Sequence, residues 1–446
     1  MKFEDFDLHF YDAYLEIDDT TKVKFFLILD RENETVTIVN GDERIAINTI
    51  NMSDGNLIFD IPVFHSTIVA KFDSKNSFYN LEGRWNKFPG RGDYSMPFYA
   101  VNSWSIFFPD RYVDDQIEHP DATVDINGKW QVAFSPDSED EYAAIGEFKQ
   151  EGNKLYGTFR TATGDYRYLE GVVYEDKFKM SCFDGSHAFL FKGKVSDGNK
   201  IKATFWSGNH WSEPWVATKN ENAQLPDPDL ITFFTSGNDS INYVAQDMKG
   251  YRRNFVKEEY AGKVVILNIF GSWCPNCMDE SRFLSKLYSD YHDKGLEIIG
   301  IAYERSDDFA TEALKLNRYK QEMGIDYEVL FAGKANKKKA SQDFPMLNGI
   351  SSFPTTIVLD KKGNVRKIHT GFSGPATSTY DDFVKEFTEL IEGMCLVGTP
   401  AEAASEDQSE PLHVSPEIKK AMNEAAEKAA EKAAEKKLTQ PKSLPK

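Results

Sequence analysis

Cys274 and Cys277, with Pro275 and Asn276 between them, are the residues of this sequence best suited to do chemistry. Thiols at this spacing stand one helical turn apart, close enough to close a disulfide and reopen it. They follow directly on the apolar run Val264–Phe270 through Gly271-Ser272-Trp273, and they open a helix. At a helix start the unpaired N–H groups and the dipole favour an anion, which biases the first thiol towards thiolate. Pro275 suits the first helical position, where its missing N–H would be unpaired anyway. Cys274 is therefore the attacking thiol and Cys277 the one that resolves the mixed disulfide. The other readings are half of a zinc site or a pair of core thiols. Zinc needs a second ligand pair, and no other C-x-x-C or closely spaced His pair occurs. Cys182 and Cys395 are isolated, so there is no disulfide framework. Cys182 alternates into a strand beside Met180 as a core thiol; Cys395, after the closing helix, reads as an exposed free thiol.

The elements that must hold this pair come in three kinds of text. Residues 1–219 read as antiparallel β structure in a sandwich or barrel. Short aromatic and β-branched runs (Val23–Leu29, Thr35–Val39, Leu57–Ile61, Ser66–Phe72) alternate with turn signals at Asn40-Gly41, Asp54-Gly55, Asp184-Gly185 and Asp197-Gly198. Leu81-Glu82-Gly83-Arg84-Trp85 and Ile126-Asn127-Gly128-Lys129-Trp130 resemble two copies of one strand opener and point to a duplication. A polar linker at 220–230 carries Pro226 and Pro228. From 231 to 395 strands alternate with helices: strands at Val264–Phe270, Glu297–Ala302, Glu328–Phe331, Thr355–Leu359 and Val365–His369, helices at Met278–Tyr291, Phe309–Met323 and Tyr380–Ile391. That is the grammar of an α/β domain around a central sheet. The tail, 396–446, is acidic and then almost wholly Ala, Glu and Lys over Glu417–Lys437; it has little to bury and reads as a solvated helix or disordered spacer.

Composition narrows the function. The chain of 446 residues carries 52 Lys and Arg against 71 Asp and Glu, a net charge of −19 that argues against a nucleic-acid partner. The local run Lys337-Lys338-Lys339 reads as a solvated helix start. No window approaches the roughly 18–20 apolar residues of a membrane span. Met1–Asp12 shows neither the charged nor the apolar region of an export signal.

Gly271-Ser272-Trp273-Cys274-Pro275-Asn276-Cys277-Met278-Asp279-Glu280 and Phe353-Pro354-Thr355-Thr356 resemble the TlpA/ResA family of extracytoplasmic thioredoxin-like proteins, over roughly residues 230–394. The two-part layout, with Thr163-Gly164-Asp165-Tyr166-Arg167-Tyr168-Leu169-Glu170-Gly171 in the β-rich half, is similar to a branch common in Bacteroidetes. The resemblance implies a thioredoxin-like fold with Pro354 cis and facing the cysteines, its neighbour's backbone free to pair with substrate. It also implies a disulfide reductase for exported proteins in the periplasm or cell envelope, cytochrome c maturation being the best-known case. An upstream thiol donor is implied, and no cofactor beyond the cysteine pair. The export signal would then have been removed or truncated. Glu280 matches an acidic residue of the ResA-like members. One turn below the thiols it would raise a thiol pKa or exchange protons with Cys277; the alternative is a solvated helix glutamate. Pro275-Asn276 departs from the pairs that thioredoxin and some ResA-like proteins carry, which leaves the direction of electron flow open.

Two rival functions follow. A peroxiredoxin-like peroxidase shares the fold but needs Thr or Ser where Gly271 stands. A ligand-binding envelope protein with an accessory redox domain would assign the main role to the β half. Among other candidates, Asp184 and His187 beside a hairpin turn read as structural. The loop His369–Thr377 is placed to shape substrate access, and Tyr303-Glu304-Arg305 reads as a structural ion pair.

Overall fold

The computed structural model describes residues 8–396, apart from 49, 62–63, 73–79, 88–93, 103–119, 236–240 and 242. The start of the chain up to residue 7 and the Ala/Glu/Lys tail beyond Leu396 lie outside the described residues.

Alternation of buried and half-exposed positions, clearest in the strands over Leu8–Asp18, Thr21–Asp30 and Asn56–Ile61, builds the first sheet. Its strands are β1 (Leu8–Asp18), β2 (Thr21–Asp30), β3 (Thr35–Asn40), β4 (Glu43–Ile47), β5 (Ile50–Ser53), β6 (Asn56–Ile61), β7 (Ser66–Phe72), β8 (Leu81–Lys87) and β9 (Tyr94–Asn102). All neighbours are antiparallel, in the order β4-β3-β2-β1-β9-β8-β7-β6-β5. β4 and β5 are consecutive in the chain yet occupy the two opposite edges. The few residues joining them span at most about 11 Å, so the sheet has to roll until its edges approach.

The second sheet closes completely. It comprises β10 (Gly128–Phe134), β11 (Tyr142–Glu151), β12 (Lys154–Thr161), β13 (Gly164–Asp165), β14 (Leu169–Tyr174), β15 (Lys177–Phe183), β16 (Ala188–Ser196), β17 (Lys200–Ser207) and β18 (Trp211–Lys219). The order β11-β10-β18-β17-β16-β15-β14-β12 is completed by β11 pairing β12, which leaves an antiparallel barrel with β13 attached to β12. Closure removes the edges that would otherwise invite pairing with other chains. Aromatic rings pack its interior: Phe159 lies 4.4 Å from Phe191 and 5.0 Å from Trp215, and Phe191 lies 4.6 Å from Phe205. Cys182 and Met180 belong to this core, as the alternation predicts. Trp85 and Trp130, from the two similar motifs, are both fully buried, one near the end of the first sheet's strand sequence and the other at the start of the barrel's.

The third sheet comprises β19 (Val244–Gln246), β20 (Arg252–Asn254), β21 (Val264–Phe270), β22 (Leu296–Glu304), β23 (Glu328–Lys334), β24 (Thr355–Leu359) and β25 (Val365–Thr370), in the order β20-β19-β23-β22-β21-β24-β25. β21, β22 and β23 are parallel; β24 and β25 run antiparallel to their neighbours. The helices are α1 (Pro275–Tyr291), α2 (Phe309–Met323), α3 (Lys337–Asp343) and α4 (Tyr380–Leu396). The lysine run does open a helix: the Asn336 side chain caps α3 by accepting from the Lys339 N–H at 3.1 Å. β21 is buried at every position, which is why it reads as one unbroken apolar run.

One expectation needs correction. Cys395 is not an exposed thiol: α4 continues past Ile391 to Leu396, and its apolar face carries Cys395 into the core with Phe387 and Ile391. Glu304 and Arg305, which interact electrostatically, also reach the residues around Cys274. Glu304 is fully buried and accepts from Ser272, while the Arg305 guanidinium lies 4.0 Å over the Trp273 ring. No helix among the described residues is long and apolar enough to cross a membrane.

Candidate redox site

Cys274 is the N-cap of α1. Its backbone is extended, and its sulfur accepts from the Cys277 N–H at 3.4 Å, with Pro275 at the first helical position. Cys274 is half-exposed and Cys277 fully buried; both are free thiols. Burial, then the hydrogen bond and charge of Cys274, and further down the Glu280 carboxylate push the Cys277 thiol well above its ordinary range. One sulfur is therefore reachable, and the other stays protonated behind it until something removes its proton.

The Phe353–Pro354 peptide is cis, and the Cys274 thiol faces the Phe353 carbonyl at 3.7 Å. Trp273 closes the other flank. Its indole N–H donates to the Tyr303 carbonyl at 2.8 Å, and its ring meets Phe353 edge-on at 6.0 Å. Gly271 is demanded by this packing, because a Cβ there would lie 2.4 Å from the Trp273 indole nitrogen and 2.8 Å from the Tyr303 carbonyl. The threonine or serine that peroxidase chemistry needs at this place would therefore collide with Trp273. Beneath the loop, Ser272 donates its N–H (2.9 Å) and hydroxyl (2.7 Å) to Glu304, whose burial raises its carboxyl to about 7 against those bonds.

Glu280 is buried, not solvated, at 2% exposure. It accepts from Thr356 Oγ1 at 2.8 Å and from Asn268 Nδ2, so β21 and β24 both hold it against α1. Burial pushes its carboxyl up to about 7, and the two hydrogen bonds oppose the rise. Asn268 Oδ1 has no hydrogen-bond partner. Rotating that amide would offer an acceptor to a protonated Glu280.

Asn276 faces the β-rich half. Its side-chain amide donates to the Phe372 carbonyl at 3.1 Å and lies 3.5 Å from the Asp165 carbonyl. Gly164 forms a bridge with Phe372, and Gly374 N–H donates to Asp165 Oδ2 at 2.5 Å. The loop His369–Thr377 thus does reach the cysteine helix, and a barrel loop rests on it.

Arg167, quoted in the sequence only as part of a longer stretch, is the residue whose importance the sequence hid. It is 3% exposed and donates to the Pro275 carbonyl (3.3 Å) and Asp279 Oδ2 (2.6 Å) near the start of α1, and to Glu43 on β4. Asp184 lies 4.0 Å away. Burial alone would raise Asp184; the His187 ring and amide and Arg167 outweigh it and lower the carboxyl to about 2. Asp184 and His187 close a turn, the structural role their sequence suggests. The signal that could have singled out Arg167 was a charged residue flanked by two tyrosines, Tyr166 and Tyr168, in the loop between β13 and β14. Among the described residues no group of three or more His, Cys, Asp or Glu is arranged to hold a metal.

A strand–Cys-x-x-Cys–helix unit facing a cis-proline loop across a mixed sheet defines a protein of the thioredoxin fold. Residues 236–384 match the Redoxin family model. The thiol-disulfide oxidoreductase ResA of Halalkalibacterium halodurans is 29% identical over 157 residues, 35% of this chain and 77% of that protein. ResA of Geobacillus thermodenitrificans is 27% identical over 156 residues, 35% of this chain and 78% of that one. A thiol:disulfide interchange protein of Chlorobium tepidum aligns in structure over 36% of this chain and 98% of its own, at 20% identity and a TM-score of 0.27. Over its thioredoxin-like part the chain is thus similar to the Redoxin family and to TlpA/ResA-like thiol-disulfide oxidoreductases.

Proposed function

We propose that this protein is a thiol-disulfide oxidoreductase that reduces disulfides of exported proteins through Cys274 and Cys277. The observation that carries this reading is the pairing of a reachable Cys274 at the start of α1, beside the Phe353 carbonyl, with a buried Cys277 behind it. Cys274 thiolate attacks one sulfur of a substrate disulfide, forming a mixed disulfide and expelling the other substrate sulfur as thiolate. Glu280 takes the proton of Cys277 in this reading, and the Cys277 thiolate attacks Cys274 Sγ. The second substrate sulfur leaves, the Cys274–Cys277 disulfide closes, and the substrate has gained two electrons. An upstream thiol donor restores the dithiol, and no cofactor enters.

Trp273, Pro275, Asn276, Phe353 and Pro354 form the surroundings of the attacking sulfur, and the backbone of Phe353 pairs with the substrate strand. Residues 1–219 and 231–395 act as the β-rich and redox domains, joined by 220–230, with 396–446 as a spacer. The cell envelope is the place such a reductase works. The collision a side chain at Gly271 would meet supports this reading over the peroxidase.

The test is the equilibrium of the pair against glutathione, read by thiol alkylation. A potential near roughly −270 mV supports reduction, whereas one near roughly −120 mV replaces it with oxidative folding. In parallel, Cys277→Ser accumulates a mixed disulfide with substrate and Cys274→Ser does not; equal trapping by both would refute the assignment of the two sulfurs.

A further inference from the structure

Both residues between the cysteines are held by the β-rich half. The Pro275 carbonyl accepts from Arg167, and the Asn276 amide lies against Asp165 and Gly164. The approach is tight: a Cβ on Gly164 would stand 2.0 Å from Asn276 Nδ2, and one on Gly371 would stand 2.5 Å from the Thr163 backbone. Further along, Glu147 of the barrel accepts from the Ser378 N–H at 2.8 Å and hydroxyl at 2.9 Å, ahead of α4.

Arg167 stands where the first sheet, the barrel and α1 meet. The groups that face it come from every element around it: Glu43 on β4, Asp165 next to it in the barrel loop, Asp184 in the turn after β15, and Asp279 on α1. Asp279 also accepts from Arg282 at 3.1 Å, and Asp184 contacts His187. One buried guanidinium thus balances several carboxylates while it holds the carbonyl of Pro275, the residue after Cys274. Cys274 itself is faced by Cys277, by Arg305 across Trp273, and by Glu280 behind Cys277.

We propose that Arg167 is a positioning residue of the redox site: through Pro275 and Asp279 it fixes the start of α1 and, by its positive charge, speeds attack by Cys274. The β-rich half is then part of the redox centre, and reactivity of the cysteine pair depends on its docking. This rests on the oxidoreductase reading and adds the residue that tunes it.

The opposite charges of the Arg167–Asp279 pair supply the test. In the full-length protein, the rate of Cys274 alkylation is followed against pH in wild type, Arg167→Gln, Arg167→Lys and Asp279→Asn. Removing the cation leaves Asp279 uncompensated, so Arg167→Gln slows alkylation at neutral pH about threefold. Asp279→Asn removes the anion and speeds alkylation, while Arg167→Lys, which keeps the charge, stays nearer wild type than Arg167→Gln. A purely structural role predicts shifts of the same sign in both charge-removing variants, because both undock the loop. Same-sign shifts, or none in folded variants, overturn the proposal. If Arg167→Gln does not fold, Asp279→Asn decides alone: faster alkylation supports the proposal, and slower or unchanged alkylation overturns it. Wild-type disulfide reduction, measured alongside, separates this failure from failure of the oxidoreductase reading, in which wild type itself would be inactive.

Discussion

Glu280→Gln is the substitution whose consequences the structure specifies most fully. The Glu280 carboxyl is lifted by burial from an ordinary value of 4.5 to about 7. Its charged form is therefore disfavoured in the folded protein, and folding favours the protonated form. The stability this contributes is fully present below about 4.5 and is lost as pH rises through about 7. At roughly 1.4 kcal/mol per pH unit of separation, the loss is about 3 kcal/mol. Glu304, raised to about 7 by burial against its bonds from Ser272, adds a similar slope of its own. The informative quantity is accordingly the difference in unfolding free energy between wild type and Glu280→Gln, from urea titrations of the reduced proteins between pH 4 and pH 9. That difference should fall by about 2.5 kcal/mol between pH 5 and pH 8, moving against wild type. Turnover should drop by roughly 100-fold if Glu280 is the base for Cys277. A pH-independent difference would falsify the claim that this carboxyl is held protonated by its surroundings. An unchanged turnover would remove Glu280 from the chemistry while leaving the stability argument intact.

Three further substitutions probe the supports of the site. Gly371→Ala places a Cβ against the Thr163 backbone at a residue with φ of 81°, and a loss of about 1–3 kcal/mol is expected in thermal melts. Phe159→Ala opens the centre of the barrel where five other rings meet it, and should cost about 3–5 kcal/mol in urea unfolding. Ser272→Ala leaves Glu304 with one donor in place of two; about 1–3 kcal/mol should be lost, with the loss easing at acidic pH, where Glu304 is neutral.

The sequence by itself determined what is written in neighbouring residues. The cysteine pair, the helix it opens, the buried run Val264–Phe270 and the helix Phe309–Met323 are all local patterns, since side-chain periodicity and capping act over a few residues. The same logic found β7, β24 and the turn at Asp197-Gly198, whose residues take φ of 52° and 66°. Tertiary structure decided what depends on partners distant in the chain. Periodicity marks a strand but does not say which strand pairs with it, so the rolled sheet and the closed barrel were legible only as antiparallel strands of a sandwich or barrel. Glu280 reads equally well as a solvated helix residue until Asn268 and Thr356 are seen around it. Cys395 reads as exposed until α4 is extended and its face buried. Arg167 reads as one charge among many until Glu43, more than a hundred residues earlier, and Asp279, more than a hundred later, converge on it. The energy of such a group is set by the charges that folding brings within a few ångströms, and no local pattern in the sequence encodes that distance.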